Sequence, residues 1–138
     1  MASLIYNSAI DDMARGAIDY DTDSFKALLV TSAYTPNKDT DLKRSAVTNE
    51  VTGTGYTAGG VTCACTVTKD TANDKVTLSF AAVSWASSII TARALVIYKS
   101  RGGASSADEL VAYVDFGSNV SSTGGTFSVT ASTVTLQN

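Results

Sequence analysis

The chain has 138 residues, one domain's worth, with 44% hydrophobic and only 17% charged residues, a formal net charge of −3 and no histidine. These values exclude the usual Ser-His-Asp and Cys-His catalytic sets and zinc sites that need imidazole. They also leave ten scattered cations where nucleic acid needs a clustered basic face.

The polar surface is built from 19 Thr and 17 Ser rather than from charge. No apolar run reaches the roughly 18–20 residues of a membrane span. Met1-Ala2-Ser3 leads straight into polar residues, so no secretory leader is expected. Two cysteines make no disulfide framework.

Residues 1–20 read as a helical arm. Asn7 or Ser8 supplies a cap, Asp11 and Asp12 lie near the positive end of the helix dipole, and Ile10, Met13 and Ala14 share a face. Gly16 closes the helix. The pattern then turns to β, and residues 24–138 read as a sandwich in one continuous domain. Residues 25–31 are apolar on both faces, which predicts a strand covered on two sides. Residues 37–60 form a long loop with one helical turn near 39–43 and a glycine-rich stretch at its end. A loop this long in a compact domain is functional or an interface element.

Residues 61–68 alternate as one strand, 70–74 turn, and 75–80 return as its hairpin partner. Further strands are predicted at 81–85, 91–100, 110–116 and 126–136. Loops are predicted at 101–106 and 117–125, on their Gly and Ser content. Short strands with Gly and Ser turns give a mainly β fold, an antiparallel sandwich of jelly-roll-like strand count with a short N-terminal helix.

The candidate chemical motifs fail one by one. Asp19, Asp21 and Asp23 match the opening of a calcium loop, but Ser24 and Val30 stand where that loop needs Gly and Glu. Cys63 and Cys65 on one strand face sit about 7 Å apart, too far for an unstrained disulfide, and no further ligand completes a metal site. The run from Gly53 to Gly60 lacks the Lys of a phosphate loop and enters a strand rather than a helix. Glu50 and Glu109 are the only glutamates and the nearest approach to a glycosidase pair. No catalytic, cofactor or metal residue is therefore assigned. Aromatics at strand positions belong to the core, whereas Tyr56 stands in the glycine-rich loop, where it can anchor a contact.

Four segments carry a resemblance. They are Lys26-Ala-Leu-Leu-Val-Thr-Ser-Ala-Tyr-Thr-Pro-Asn37, Glu50-Val-Thr-Gly-Thr-Gly-Tyr-Thr-Ala-Gly-Gly-Val61, Thr91-Ala-Arg-Ala-Leu-Val-Ile-Tyr-Lys99 and Val111-Ala-Tyr-Val-Asp-Phe-Gly-Ser118. In this order they resemble the small capsid cement, or decoration, proteins of tailed bacteriophages, and the Gly-Tyr-Thr-Ala-Gly-Gly block is the most specific piece.

The resemblance implies a jelly-roll subunit on the outer capsid of a virion, assembled in the bacterial cytoplasm. It would bridge neighbouring copies of the major capsid protein as a homodimer or homotrimer, without enzymatic activity, cofactor, nucleic acid or membrane. A tail- or fibre-associated module that binds a protein or carbohydrate receptor is the alternative. Because Ile5, Ile10, Met13 and Tyr56 are apolar groups outside the predicted strands, they are the expected contacts between chains.

Overall fold

The computed structural model describes residues 2–138. Strand makes up 45% and helix 10% of the chain, so the fold is mainly β, with antiparallel sheets and one short helix. The strands are β1 (Leu4–Ile5), β2 (Phe25–Val30), β3 (Val61–Thr62), β4 (Cys65–Asp70), β5 (Lys75–Phe80), β6 (Val83–Trp85), β7 (Ile89–Lys99), β8 (Leu110–Thr123), β9 (Phe127–Val129) and β10 (Ser132–Gln137), with helix α1 at Asn7–Ala14. They form a five-stranded sheet ordered β1-β8-β7-β2-β3, a three-stranded sheet ordered β10-β5-β4 and a β6-β9 pair.

The five-stranded sheet is apolar on both faces, because β2 alternates between two clusters. Phe25, Ala27 and Leu29 meet Leu78, Phe80, Val83, Trp85 and Phe127 from the two smaller sheets in the larger core. Leu28 and Val30 point the other way and join Tyr6, Tyr34, Val96, Tyr98, Leu110 and Tyr113 in a second cluster. The two-sided burial predicted for residues 25–31 is therefore present, but only one face is covered by sheet. The other lies under Tyr6 and the irregular segment after β2. Strand β7 keeps Ile90 and Ala92, then Leu95 and Ile97, in the larger core by a register shift between Ala92 and Ala94 that reverses the alternation.

Three predicted elements differ. The single strand at 61–68 is broken at Cys63 and Ala64. Val61 and Thr62 pair with β2, while 65–70 pair with β5 in the other sheet. The break is a corner: the Cys63 N–H donates to the Phe25 carbonyl in one sheet, and the Ala64 carbonyl accepts from Ala81 in the other. The predicted loop at 117–125 is mostly strand. After an irregularity at Gly117 (φ +83°), Val120 to Thr123 pair with Ala92 to Ile89. Their hydroxyls signal a turn in sequence, yet Ser121 and Ser122 bond to Thr91 and Ser88 at 2.8 Å. The segment 126–136 is two strands, β9 and β10, in different sheets.

Helix α1 begins after Tyr6, which makes no side-chain cap, and no acid lies in its first turn, so neither Asn7 nor Ser8 caps it. Its docked face is also turned from the predicted one. Tyr6 is fully buried and its N–H donates to Val111, which aims Ala9 and Met13, three and seven residues on, at the protein. Ile10 is 54% exposed and Ala14 is exposed. Gly16 ends the helix with φ +78°, as predicted. In place of the turn at 39–43, an Asp41 N–H to Asn37 carbonyl bond closes one turn and a 3-10 turn follows at Arg44–Ala46.

If the second cluster is a true core, Leu28→Ala should cost about 2–5 kcal/mol, as a large-to-small core change does. Chemical denaturation should show a loss comparable to that of Leu95→Ala in the larger core. A cost below about 0.5 kcal/mol, the surface range, would show that the irregular cover does not seal that face.

Candidate functional site

The irregular segment after β2 is held down by polar side chains at two places, and a cavity of about 250 Å³ lies between them, with Lys26, Arg44, Glu50, Gly59, Tyr98 and Asp108 among its lining residues. The first place is the open edge of β2. Strand β3 covers only Lys26 and Ala27, and Glu50 forms a single bridge to Val30. Between them the Leu29 N–H would lack a strand partner, and the Tyr56 hydroxyl accepts it at 3.0 Å.

The same hydroxyl donates to Glu50 Oε2 at 2.5 Å, and the Gly59 N–H donates to that oxygen at 2.7 Å. Tyr98 donates to the Gly59 carbonyl. Burial first, then the facing Glu50 carboxylate, pushes the Tyr56 phenol far above its ordinary range. Gly60 is fixed by space: with φ +78°, a Cβ there would sit 1.8 Å from the Ala27 carbonyl oxygen.

The second place is the connection from β7 to β8. Asp108 and Glu109 are the buried charged residues among those described, at 1% and 0% exposure. Asp108 accepts from Arg44 Nε at 2.8 Å and from the Arg101 N–H at 2.9 Å. The Arg44 guanidinium also lies 4.9 Å from the Tyr98 ring centre. Glu109 takes Arg101 at 2.5 Å and Lys43 at 3.6 Å. Lys99 ties in the arm through Asp23 and the Ala17 carbonyl, each at 2.7 Å. Burial alone would raise the Glu109 carboxyl, but Arg101, Lys43 and Lys99 outweigh it and hold it below its usual range.

The predicted site residues are not brought together. Ile5 and Ile10 are exposed, at 36% and 54%. Met13 packs against the larger core. Tyr56 is half-buried, with its ring 5.8 Å from that of Trp85, so its contacts are inside the chain. Glu50 and Glu109 are each committed to the chain's own donors. Asp19 and Asp23 close their own turn, and Asp23 holds Lys99. Cys63 is buried and Cys65 partly so, both as free thiols, and Cys63 donates to the Ala81 carbonyl. Among the described residues no group of three or more His, Cys, Asp or Glu is placed to hold a metal ion, and no helix is long and apolar enough to cross a membrane.

Sequence reasoning missed Asp108 and Glu109 as a pair. The available signal was two adjacent acids inside a strand-rich region flanked by Lys99 and Arg101.

No protein-family model, no curated protein and no solved structure matches the chain.

Two predictions follow from this geometry. Tyr56→Phe keeps the ring on Trp85 but leaves the Leu29 N–H and Glu50 without the hydroxyl, and should cost about 1–3 kcal/mol. Faster hydrogen exchange at the Leu29 amide should accompany the loss, and an unchanged rate would contradict the assigned role.

The pH dependence has a definite sign. Because the folded Glu109 carboxyl titrates below its unfolded value of about 4.3, its contribution is complete above that value and is lost as pH falls through the folded one. Asp115, held down to about 2 chiefly by Arg93, acts in the same sense. Asp12, raised chiefly by burial, acts in the opposite one. Glu109→Gln should lower stability at neutral pH and flatten its fall as pH drops below the unfolded value of about 4.3, read from denaturation midpoints. An equally steep acid limb in the variant would remove Glu109 as its source.

Proposed function

We propose that the chain is a virion structural protein that binds the outer surface of a phage capsid and stabilises it by bridging neighbouring major capsid protein subunits. In this reading the antiparallel sheets form a jelly-roll-like sandwich, the partners are the major capsid protein and further copies of the chain as a dimer or trimer, and the work done is surface burial rather than catalysis. The observation that carries it is the place of the four resembling segments. They supply β2, the irregular cover with Tyr56 and Gly60, most of β7, and the first half of β8, which together make the two-sided sheet.

Two further features support the reading. The arm and the cover carry exposed Ile5, Ile10 and Leu42, apolar groups that a shell contact would bury. The acids at the pinned cavity are already bonded within the chain, which supports a reading in which surface rather than chemistry does the work. Many copies on a closed shell would add modest contacts multivalently.

The test is co-sedimentation with matched phage capsids stripped of their small outer proteins. Saturable binding at a fixed ratio to the major capsid protein, with a gain in heat resistance, is the expected outcome. Absence of binding to intact, expanded capsids would overturn the reading, and label confined to tails on intact particles would favour a tail or fibre module. Truncating the arm would confound the test, since Tyr6 and Met13 belong to the cores. Ile10→Asp avoids this because the side chain is exposed: it should weaken capsid binding several-fold without moving the thermal midpoint.

A further inference from the structure

Strand edges differ in how they are guarded. Strands β1 and β3 have two residues each and β6 and β9 three, too short to template a partner strand. The outer edge of β4 carries Lys69 and Asp70, and charge on an edge discourages pairing. Beyond β1 the outer edge of β8 is broken by the irregularity at Gly117, which leaves a regular uncharged stretch of only four residues, Val120 to Thr123. Strand β10 is different. It runs six residues, Ser-Thr-Val-Thr-Leu-Gln, without charge, proline or register shift against β5.

The hydrogen-bond pattern fixes which of its groups are open. Asn138 donates to the Asp74 carbonyl, and Ala81 on the far side of β5 donates to the Ala64 carbonyl. Antiparallel pairs alternate between bonded and non-bonded. The register therefore directs Ser132, Val134 and Leu136 at β5 and turns the N–H and C=O groups of Thr133, Thr135 and Gln137 outward. That open side borders a groove of about 390 Å³ whose far wall is Ser3, Leu4 and Ile5.

We infer that β10 is a self-association edge: a second copy of this chain pairs with it antiparallel about a two-fold axis at Thr135. The sequence is complementary to itself in that register. Thr135 lies opposite Thr135, Thr133 opposite Gln137, and the three outward pairs form about six backbone hydrogen bonds. On the inner face Val134 lies opposite Leu136 and Leu136 opposite Val134. Val134 already packs on the larger core, whereas Leu136 is 36% exposed in the single chain, so the pairing covers an apolar group otherwise left in water. No charge faces a like charge anywhere in the register. The result is a continuous six-stranded sheet. The inference does not rest on the capsid reading, because both strands come from this chain and no shell is needed.

The experiment is sedimentation velocity over a dilution series of the full chain, with Thr135→Lys and Thr68→Lys. Thr68 and Thr135 occupy one exposed row across the three-stranded sheet, on opposite edges, so each lysine makes the same local change to the subunit. Only the one at 135 meets its own copy. The wild type and Thr68→Lys should reach twice the 14.3 kDa chain mass, and Thr135→Lys should stay at one chain mass or dissociate at least tenfold more readily.

Amide exchange provides a second readout that needs no variant: protection of Thr133, Thr135 and Gln137 should rise with concentration. A wild type that remains monomeric up to its solubility limit, a trimer, a Thr135→Lys dimer of unchanged strength, or a dimer whose three outward amides stay unprotected would each overturn the inference. Failure of these tests leaves capsid binding to be judged by its own co-sedimentation result.

Discussion

Everything in this fold depends on the central strands of the five-stranded sheet being apolar on both faces. A sheet with one apolar face can leave the other in water. Here Leu28, Val30, Val96 and Tyr98 require a second cover as much as Leu29, Leu95 and Ile97 require the first. Each such side chain contributes about 1.5–3 kcal/mol when fully buried, so an unsealed face would remove much of a stability that is ordinarily only 5–15 kcal/mol. The smaller sheets cover one side with regular ladders. The other is covered by irregular chain, whose backbone groups have no ladder to satisfy them and need side-chain partners instead.

That need explains the placement of the polar side chains. Tyr56 stands in for a missing strand at Leu29, Glu50 gathers the hydroxyl and the Gly59 amide, and Tyr98 takes the Gly59 carbonyl. Asp108 and Glu109 draw Lys43, Arg44 and Arg101 together at the other end. A buried ion pair seldom adds net stability over an apolar replacement, although breaking one is costly. The value of these pairs is positional: they fix irregular chain in one conformation over the sheet, where hydrophobic contact alone would leave its path undetermined.

The sequence was most legible where a single local rule governed. The alternation in 75–80 matches β5, the uninterrupted apolar run at 25–31 marked a doubly covered strand, and Gly16 marked the end of α1. It was least legible where distant chain decides. Nothing within 61–68 signals that the strand changes sheets at Cys63, because that depends on Phe25 and Ala81 taking its backbone groups. The hydroxyls of 120–123 satisfy a turn statistic as well as they satisfy the ladder on β7. Ile10 and Met13 obey one helical period, and only the buried Tyr6 decides which faces inward. Tyr56 stands out in its loop as an anchor for a contact between chains, and in the fold its hydroxyl bonds Leu29 and Glu50 of the same chain, because the edge it completes is invisible from local sequence.

The distribution of charge connects the cores to the outer surface. Of ten cations, at least six (Arg15, Lys43, Arg44, Arg93, Lys99 and Arg101) are held in ion pairs within the chain. On the outer face of the three-stranded sheet the central rows are Thr66, Ser79 and Thr133, then Thr68, Thr77 and Thr135, with no charge among them. Exposed sheets ordinarily use charge to prevent unwanted pairing, so a neutral, hydroxylated face beside an unguarded edge removes that barrier. Charge does its work inside the subunit, where partial burial protects every one of these pairs except the exposed Arg15–Asp11 from salt, and in the proposed pairing contact between copies would be left to backbone groups, methyls and hydroxyls. Acid therefore acts on the fold through carboxylates that folding holds low, Glu109, Asp23 and Asp115, while salt has little hold on an edge that carries no charge. In the proposed pairing such a subunit would associate under ionic conditions that weaken charge-driven assembly, because the groups that set its shape and the groups along the β10 edge are different sets.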